Sequence, residues 1–137
     1  MKWLVDTDVL FAAINTAHDR HAASRKWLES VKADGWGVAV ETYLAAVRLL
    51  MNAQVMQGHA LRATDALKAV RAEFTGPRAG KIVVGGPPDE DFLRKAGGHK
   101  QVMDFYLVQT AAMYKVPLAT RDGGTLAAWP AHTFEVV

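Results

Sequence analysis

The stretch Trp3-Leu-Val-Asp-Thr-Asp-Val-Leu-Phe11 decides the fold. A short apolar run stops at Asp6, Thr7 and Asp8, and apolar residues then resume with no turn signal between. The pattern predicts a buried strand that delivers two carboxylates to its C-terminal end and passes straight into a helix. In open α/β sheets, ligands bind outside the carboxyl ends of the strands. Unpaired negative charge is costly at a buried strand tip, so two acids there point to a cation or a proton-sharing partner.

Working outward, Asp8 to Asn15 reads as a short helix, followed by a polar break and a second helix through Trp27 and Leu28, capped near Asp19. Trp36 to Val40 is strand-like, and Glu41 to Met51 has helical spacing at Leu44, Val47, Leu50 and Met51, with Thr42 as a cap. Ala60 to Phe74 reads as a further amphipathic helix, and Lys81 to Val84 as a third strand stopped by Gly85-Gly-Pro-Pro88. A helix start near Asp89 turns Phe92 and Leu93 inward, and Gln101 to Tyr114 is a strong helix. Val116 to Thr120 reads as a fourth strand, stopped by Arg121-Asp-Gly-Gly124, and Thr133 to Val137 as a terminal one. Alternating strands and helices imply parallel βαβ units. The expectation is a single domain over residues 1–137, with an α/β/α three-layer fold around a mainly parallel sheet of four to five strands.

Composition narrows the chemistry. The chain has 137 residues, half of them hydrophobic, which suits one globular core. With no cysteine, a disulfide framework, a thiolate zinc site and a cysteine nucleophile are excluded. The apolar run that ends at Asp6 is unlike a signal peptide, and no segment approaches the roughly 20 apolar residues of a membrane span. A cytoplasmic protein with no membrane partner is the expectation. Sixteen Lys and Arg against fourteen Asp and Glu leave a net charge of +2, so clustering of charge matters more than its sum.

Two later acids fall where the opening stretch needs partners. Asp122 stands just past the fourth strand, as Asp6 does past the first, and Asp104 lies in the first turn of the helix beginning near Gln101. Asp6, Asp104 and Asp122 therefore converge, with Asp8 at the edge of the cluster. Clustered carboxylates repel and shift upward in pKa unless a cation is present. An all-oxygen donor set favours Mg²⁺ or Mn²⁺, and carboxylate-held Mg²⁺ suits phosphodiester hydrolysis. The bland alternative is that each Asp merely caps a helix.

These segments resemble the PIN-domain nucleases, and more closely the VapC-type toxins of bacterial toxin–antitoxin operons, over essentially the full length. Leu4-Val-Asp-Thr-Asp-Val-Leu10 is similar to the family's opening strand with its first acid, and Thr42 to Arg48 to the helix that carries the second. Gly98-His-Lys-Gln-Val-Met-Asp-Phe-Tyr-Leu107 and Leu118-Ala-Thr-Arg-Asp-Gly-Gly124 are similar to the segments with the third and fourth, at Asp104 and Asp122. The resemblance implies Mg²⁺-dependent cleavage of RNA, of the tRNA or ribosomal class, with Mn²⁺ as a substitute metal. It also implies inhibition by a cognate antitoxin protein, and a homodimer. The family's second acid is a Glu three residues before an Arg, and here Ala45 stands three before Arg48. Asp8, where the family more often has Asn, is the favoured substitute, and Glu41 lies one helical turn before Ala45.

Around these acids, Thr7 and Thr120 are candidates to hydrogen-bond the carboxylates, and His99, Lys100 and Arg121 to contact RNA phosphates. Arg48 reads either as a packed stem with an ion-paired head or as an orienter of the acids or a phosphate contact. His18 and His21 read as turn and cap residues, and Trp129 as packing over a loop. Two rival functions remain. One is a PIN fold that binds RNA or antitoxin without turnover, because of Ala45. The other is an aspartyl-phosphate-type phosphohydrolase, which also opens on Asp-x-Asp.

Overall fold

Three residues suffice for the first strand because every one of them is used. In the computed structural model, which describes Met1–Val137, β1 is Trp3–Val5 and α1 is Thr7–Ile14, with Asp6 as the single residue between them. Then follow α2 (His21–Val31), β2 (Trp36–Ala39), α3 (Val40–Leu50), α4 (Ala63–Arg71) and β3 (Lys81–Val83). The C-terminal half holds α5 (Glu90–Leu93), α6 (Val102–Met113), β4 (Leu118–Thr120), α7 (Gly123–Ala128) and β5 (Thr133–Glu135). All strand pairs are parallel, and the five-stranded sheet has the order β3-β2-β1-β4-β5.

Side-chain alternation along the strands divides the core between two faces. Val5, Trp36, Val38 and Ala119 point to the face covered by α1, α2, α3 and α4, where they pack with Leu10, Leu28, Leu50 and Val70. Leu4, Ala39, Val83 and Leu118 point the other way, onto Phe105, Val108 and Ala111 of α6, with Trp129 beside them. The result is the expected three-layer α/β/α architecture. Each fully buried Leu or Val here contributes about 1.5–3 kcal/mol. At Gly37 the neighbouring strand comes so close that a Cβ would lie 2.7 Å from the Lys81 carbonyl oxygen, so only glycine fits there. On the surface, Glu73 accepts from Arg25 at 2.6 Å and from Lys32 at 3.0 Å, tying α2 to the turn after α4. Those two cations lower the pKa of the Glu73 carboxyl against the burial that raises it.

Several local expectations are corrected. Residues 121–124 do not simply stop the fourth strand, because Asp122 caps α7. The cap of α2 falls where expected, next to Asp19, but on Arg20 and without a side-chain bond. Thr42 is not a cap either, since α3 begins after Ala39 and the buried Thr42 meets the Thr7 hydroxyl instead. Leu93 faces solvent, because α5 is a single turn with only Phe92 available to pack inward. Of the stripe along α3, expected to be core or a dimer face, Leu50 enters the core and Leu44 and Met51 are exposed.

Candidate functional site

Chain order in the sheet reverses between β1 and β4, and this is where a parallel sheet opens a crevice at its carboxyl end. The two strands finish together: Leu4 pairs with Leu118 and Val5 with Ala119, and the Asp6 amide donates to the Ala119 carbonyl at 2.9 Å. Asp6 and Thr120 therefore stand side by side for a topological reason. A cleft of about 650 Å³ opens above them, lined by Asp6 and Asp8 from the start of α1, Glu41 and Arg48 from α3, Asp104 from α6 and Asp122 from the start of α7. The structure thus brings all four predicted Asp residues, and Glu41, to one cavity.

The carboxylates are held by their own helix starts. One Asp6 oxygen accepts the Thr7 amide at 2.7 Å and the other accepts the Thr120 hydroxyl at 2.7 Å. That hydroxyl in turn accepts the Asp122 amide at 3.1 Å, linking the two strand tips. Asp122 caps α7 through Thr125, whose amide and hydroxyl donate at 2.9 and 2.6 Å. Asp8 accepts the Val9 amide at 2.7 Å and, with its other oxygen, the Arg121 amide at 3.0 Å. On Glu41, Oε2 is buried and has no hydrogen-bond partner.

The electrostatics are those of crowded acids. Burial, then the Asp8 charge, raises Asp6 from 3.8 to about 7, against hydrogen bonds from Thr120 and Thr7 that lower it. Asp8 is also raised, by burial first and by Asp122 last, against the lowering effect of the Arg121 and Val9 amides and the Arg121 guanidinium. Asp104 is raised by burial and then by Asp122 and Asp8. The charges of Asp122 and Asp8 act on Asp104, and those of Asp8 and Asp104 on Asp6, so the four acids form one electrostatic unit. They do not form a tight cage, for no three acid or imidazole side chains crowd closely enough to enclose an ion directly. Their chemistry still fits a hard cation, because the donors are all oxygens and Mg²⁺ keeps several waters beside one or two direct carboxylates.

The other candidates divide. Both threonines meet the Asp6 carboxylate, Thr120 through its hydroxyl and Thr7 through its backbone amide, while the Thr7 hydroxyl points to the Thr42 hydroxyl at 3.4 Å. Arg48 is exposed on the cleft wall and joins no ion pair, against the reading of an ion-paired head. His99 and Lys100 are exposed in the turn before α6 and lie outside the cleft lining. Arg121 turns its guanidinium inward to the Ser24 hydroxyl, leaving Nε and Nη2 buried and unpaired. His21 bonds the Ala12 carbonyl at 2.9 Å and is structural. Trp129 is buried, with its indole donating to the Phe92 carbonyl at 3.0 Å. Two participants went unread in the sequence. Thr125 was signalled by its place three residues after Asp122, the spacing of a capping pair. His18 lines the cleft, and nothing in its loop setting separates it from an ordinary turn histidine.

No family model and no curated protein matches the chain. Among solved structures, it is similar to PAE2754 from Pyrobaculum aerophilum, known from a crystal structure, with 22% identity and a TM-score of 0.62 over 99% of this chain and 91% of that one. A likeness at that identity speaks for the fold and not for activity.

Proposed function

We propose that the chain is a Mg²⁺-dependent endoribonuclease of the PIN-domain type, the VapC-like toxin partner of a cognate antitoxin. One observation supports this above the rest: Asp6, Asp104 and Asp122 arrive from three separate elements at one cleft, at the switch point of a parallel sheet. One or two of these would ligate the ion directly and the rest through its waters, and Mn²⁺ would serve in its place. When bound, such an ion polarises a phosphodiester and lowers the pKa of a bound water. The protein's own part is orientation and charge. Thr120 and Thr125 fix the rotamers of Asp6 and Asp122, and the unpaired Arg48 stands ready for a substrate phosphate. Glu41 takes the place of the acid missing at Ala45, since both line the cleft one turn apart and its buried Oε2 has no hydrogen-bond partner.

A second reading follows from Ala45 itself, a methyl group in the cleft wall where the family places an acid. On that reading the chain binds RNA or antitoxin without turnover. An aspartyl-phosphate mechanism is disfavoured, because no lysine lines the cleft to meet the phosphate. Purified, antitoxin-free protein is expected to cut structured RNA with Mg²⁺ or Mn²⁺, and Asp104→Asn to slow it at least about a hundredfold. Cutting that persists in Asp104→Asn, or in excess EDTA, refutes the assignment. Inert wild type with active Ala45→Glu establishes the second reading instead.

A further inference from the structure

The acid cleft does not end at its carboxylates. Past the C-terminus of α1 lies a second cavity of about 410 Å³, and Phe11 and His18 line both. The His18 ring stands at right angles to Phe11, with centroids 5.8 Å apart. Its Nδ1 accepts the Arg20 amide at 3.0 Å, which makes Nδ1 the acceptor and leaves the proton on Nε2. An N–H donor therefore sits on the wall that the two spaces share.

The second cavity has the chemistry of a base pocket. Neither Lys nor Arg lines it, so it is not built for phosphate, whereas Arg48 belongs to the first cleft. Asn15, Asp19, Gln57 and His59 present amide donors, a carboxylate and an imidazole. The Asn15 side-chain oxygen is occupied by the Ala17 amide at 3.2 Å, so its NH₂ is the part available to a ligand. Gln57 reaches the cavity because the loop after α3 turns through two left-handed residues, Gln57 and Gly58 at φ 52° and 84°. The volume lies in the range of small-molecule sites and is too small for a protein segment. Splayed single-stranded bases are read by such mixed donor and acceptor sets, with aromatic rings beside them.

We propose that this second cavity is a nucleotide subsite. It seats the unpaired base next to the phosphate that lies in the acid cleft, with Asn15 and Gln57 reading the base edge. His18 donates from Nε2 to the backbone of the same nucleotide. This rests on the nuclease reading and names where its sequence preference comes from.

The test uses the full chain with four labelled single-stranded RNAs, oligo-A, -C, -G and -U, measuring cleavage kinetics and, on an Asp104→Asn background, binding by anisotropy. Wild type is expected to discriminate among the four, and Asn15→Ala and Gln57→Ala to flatten that preference. His18→Ala is expected to raise KM and Kd about tenfold for all four while kcat stays within about twofold, the loss of one good contact. His18→Gln, which keeps an N–H near the same place, restores binding. The subsite is overturned if the variants, folded by circular dichroism, bind and cut all four RNAs as wild type does, an outcome that leaves the nuclease reading standing. It is overturned too if His18→Ala lowers kcat at unchanged KM. If wild type cuts a structured RNA but neither binds nor cuts the four oligomers, the subsite is overturned; if it is inert on structured RNA as well, the nuclease reading fails and the subsite falls with it.

Discussion

Asp6→Asn should stabilise the metal-free protein at alkaline pH and weaken it at acid pH. Burial and the Asp8 charge raise the Asp6 carboxyl from 3.8 to about 7. A folded-state pKa above the unfolded one means that the stability present at low pH is lost as pH rises, here between about 4 and 7. Near pH 8 the ionised carboxylate then costs about 4 kcal/mol. The amide removes that cost but weakens the bonds from the Thr7 amide and the Thr120 hydroxyl, a loss of about 1–2 kcal/mol. The balance is a gain of about 2–3 kcal/mol near pH 8, or roughly 5–10 °C in melting temperature. Near pH 4 only the loss of about 1–2 kcal/mol remains. Urea unfolding in EDTA, followed by the fluorescence of the four tryptophans, measures both. A variant destabilised equally at both pH values would contradict a raised Asp6 pKa.

The remaining expectations concern the acids and the core. Glu41→Gln should reduce metal-dependent cleavage by at least about tenfold and more than Asp8→Asn does, because the free buried oxygen belongs to Glu41. Steady-state rates decide this, and the reverse order would assign the role of the missing acid to Asp8. Leu28→Ala, at a fully buried position facing α1 and the sheet, should cost about 2–5 kcal/mol with an unchanged urea m-value. A smaller loss would mean that this face is less tightly packed than its burial implies.

Much of the architecture was legible because strand and helix periods differ. Leu4 and Val5 had to face opposite ways, and the two core clusters on either side of the sheet follow from that. The convergence of Asp6 and Asp122 was legible for the same reason, since each ends an apolar run that could only be a buried strand. What failed was local. Arg121 looked like a phosphate ligand, yet that role depends on which way a loop turns, and tertiary packing decides that. Arg121 goes inward because Ser24 of α2 lies within reach of its guanidinium. The α7 helix was hidden by Gly123 and Gly124, poor helix formers that the Asp122–Thr125 capping bonds offset. His18 was unreadable because its partners, Phe11 and the Arg20 amide, are fixed only by the bend between α1 and α2.

Titration calorimetry with Mn²⁺ reads out whether the acid cleft holds a divalent cation. Wild type near pH 6 is expected to show one saturable class of sites, with proton release from Asp6 visible as a dependence of the heat on buffer ionisation. Asp104→Asn should weaken that binding by at least about tenfold, or 1.4 kcal/mol. Absence of saturable binding, or equal binding by Asp104→Asn, would contradict the account.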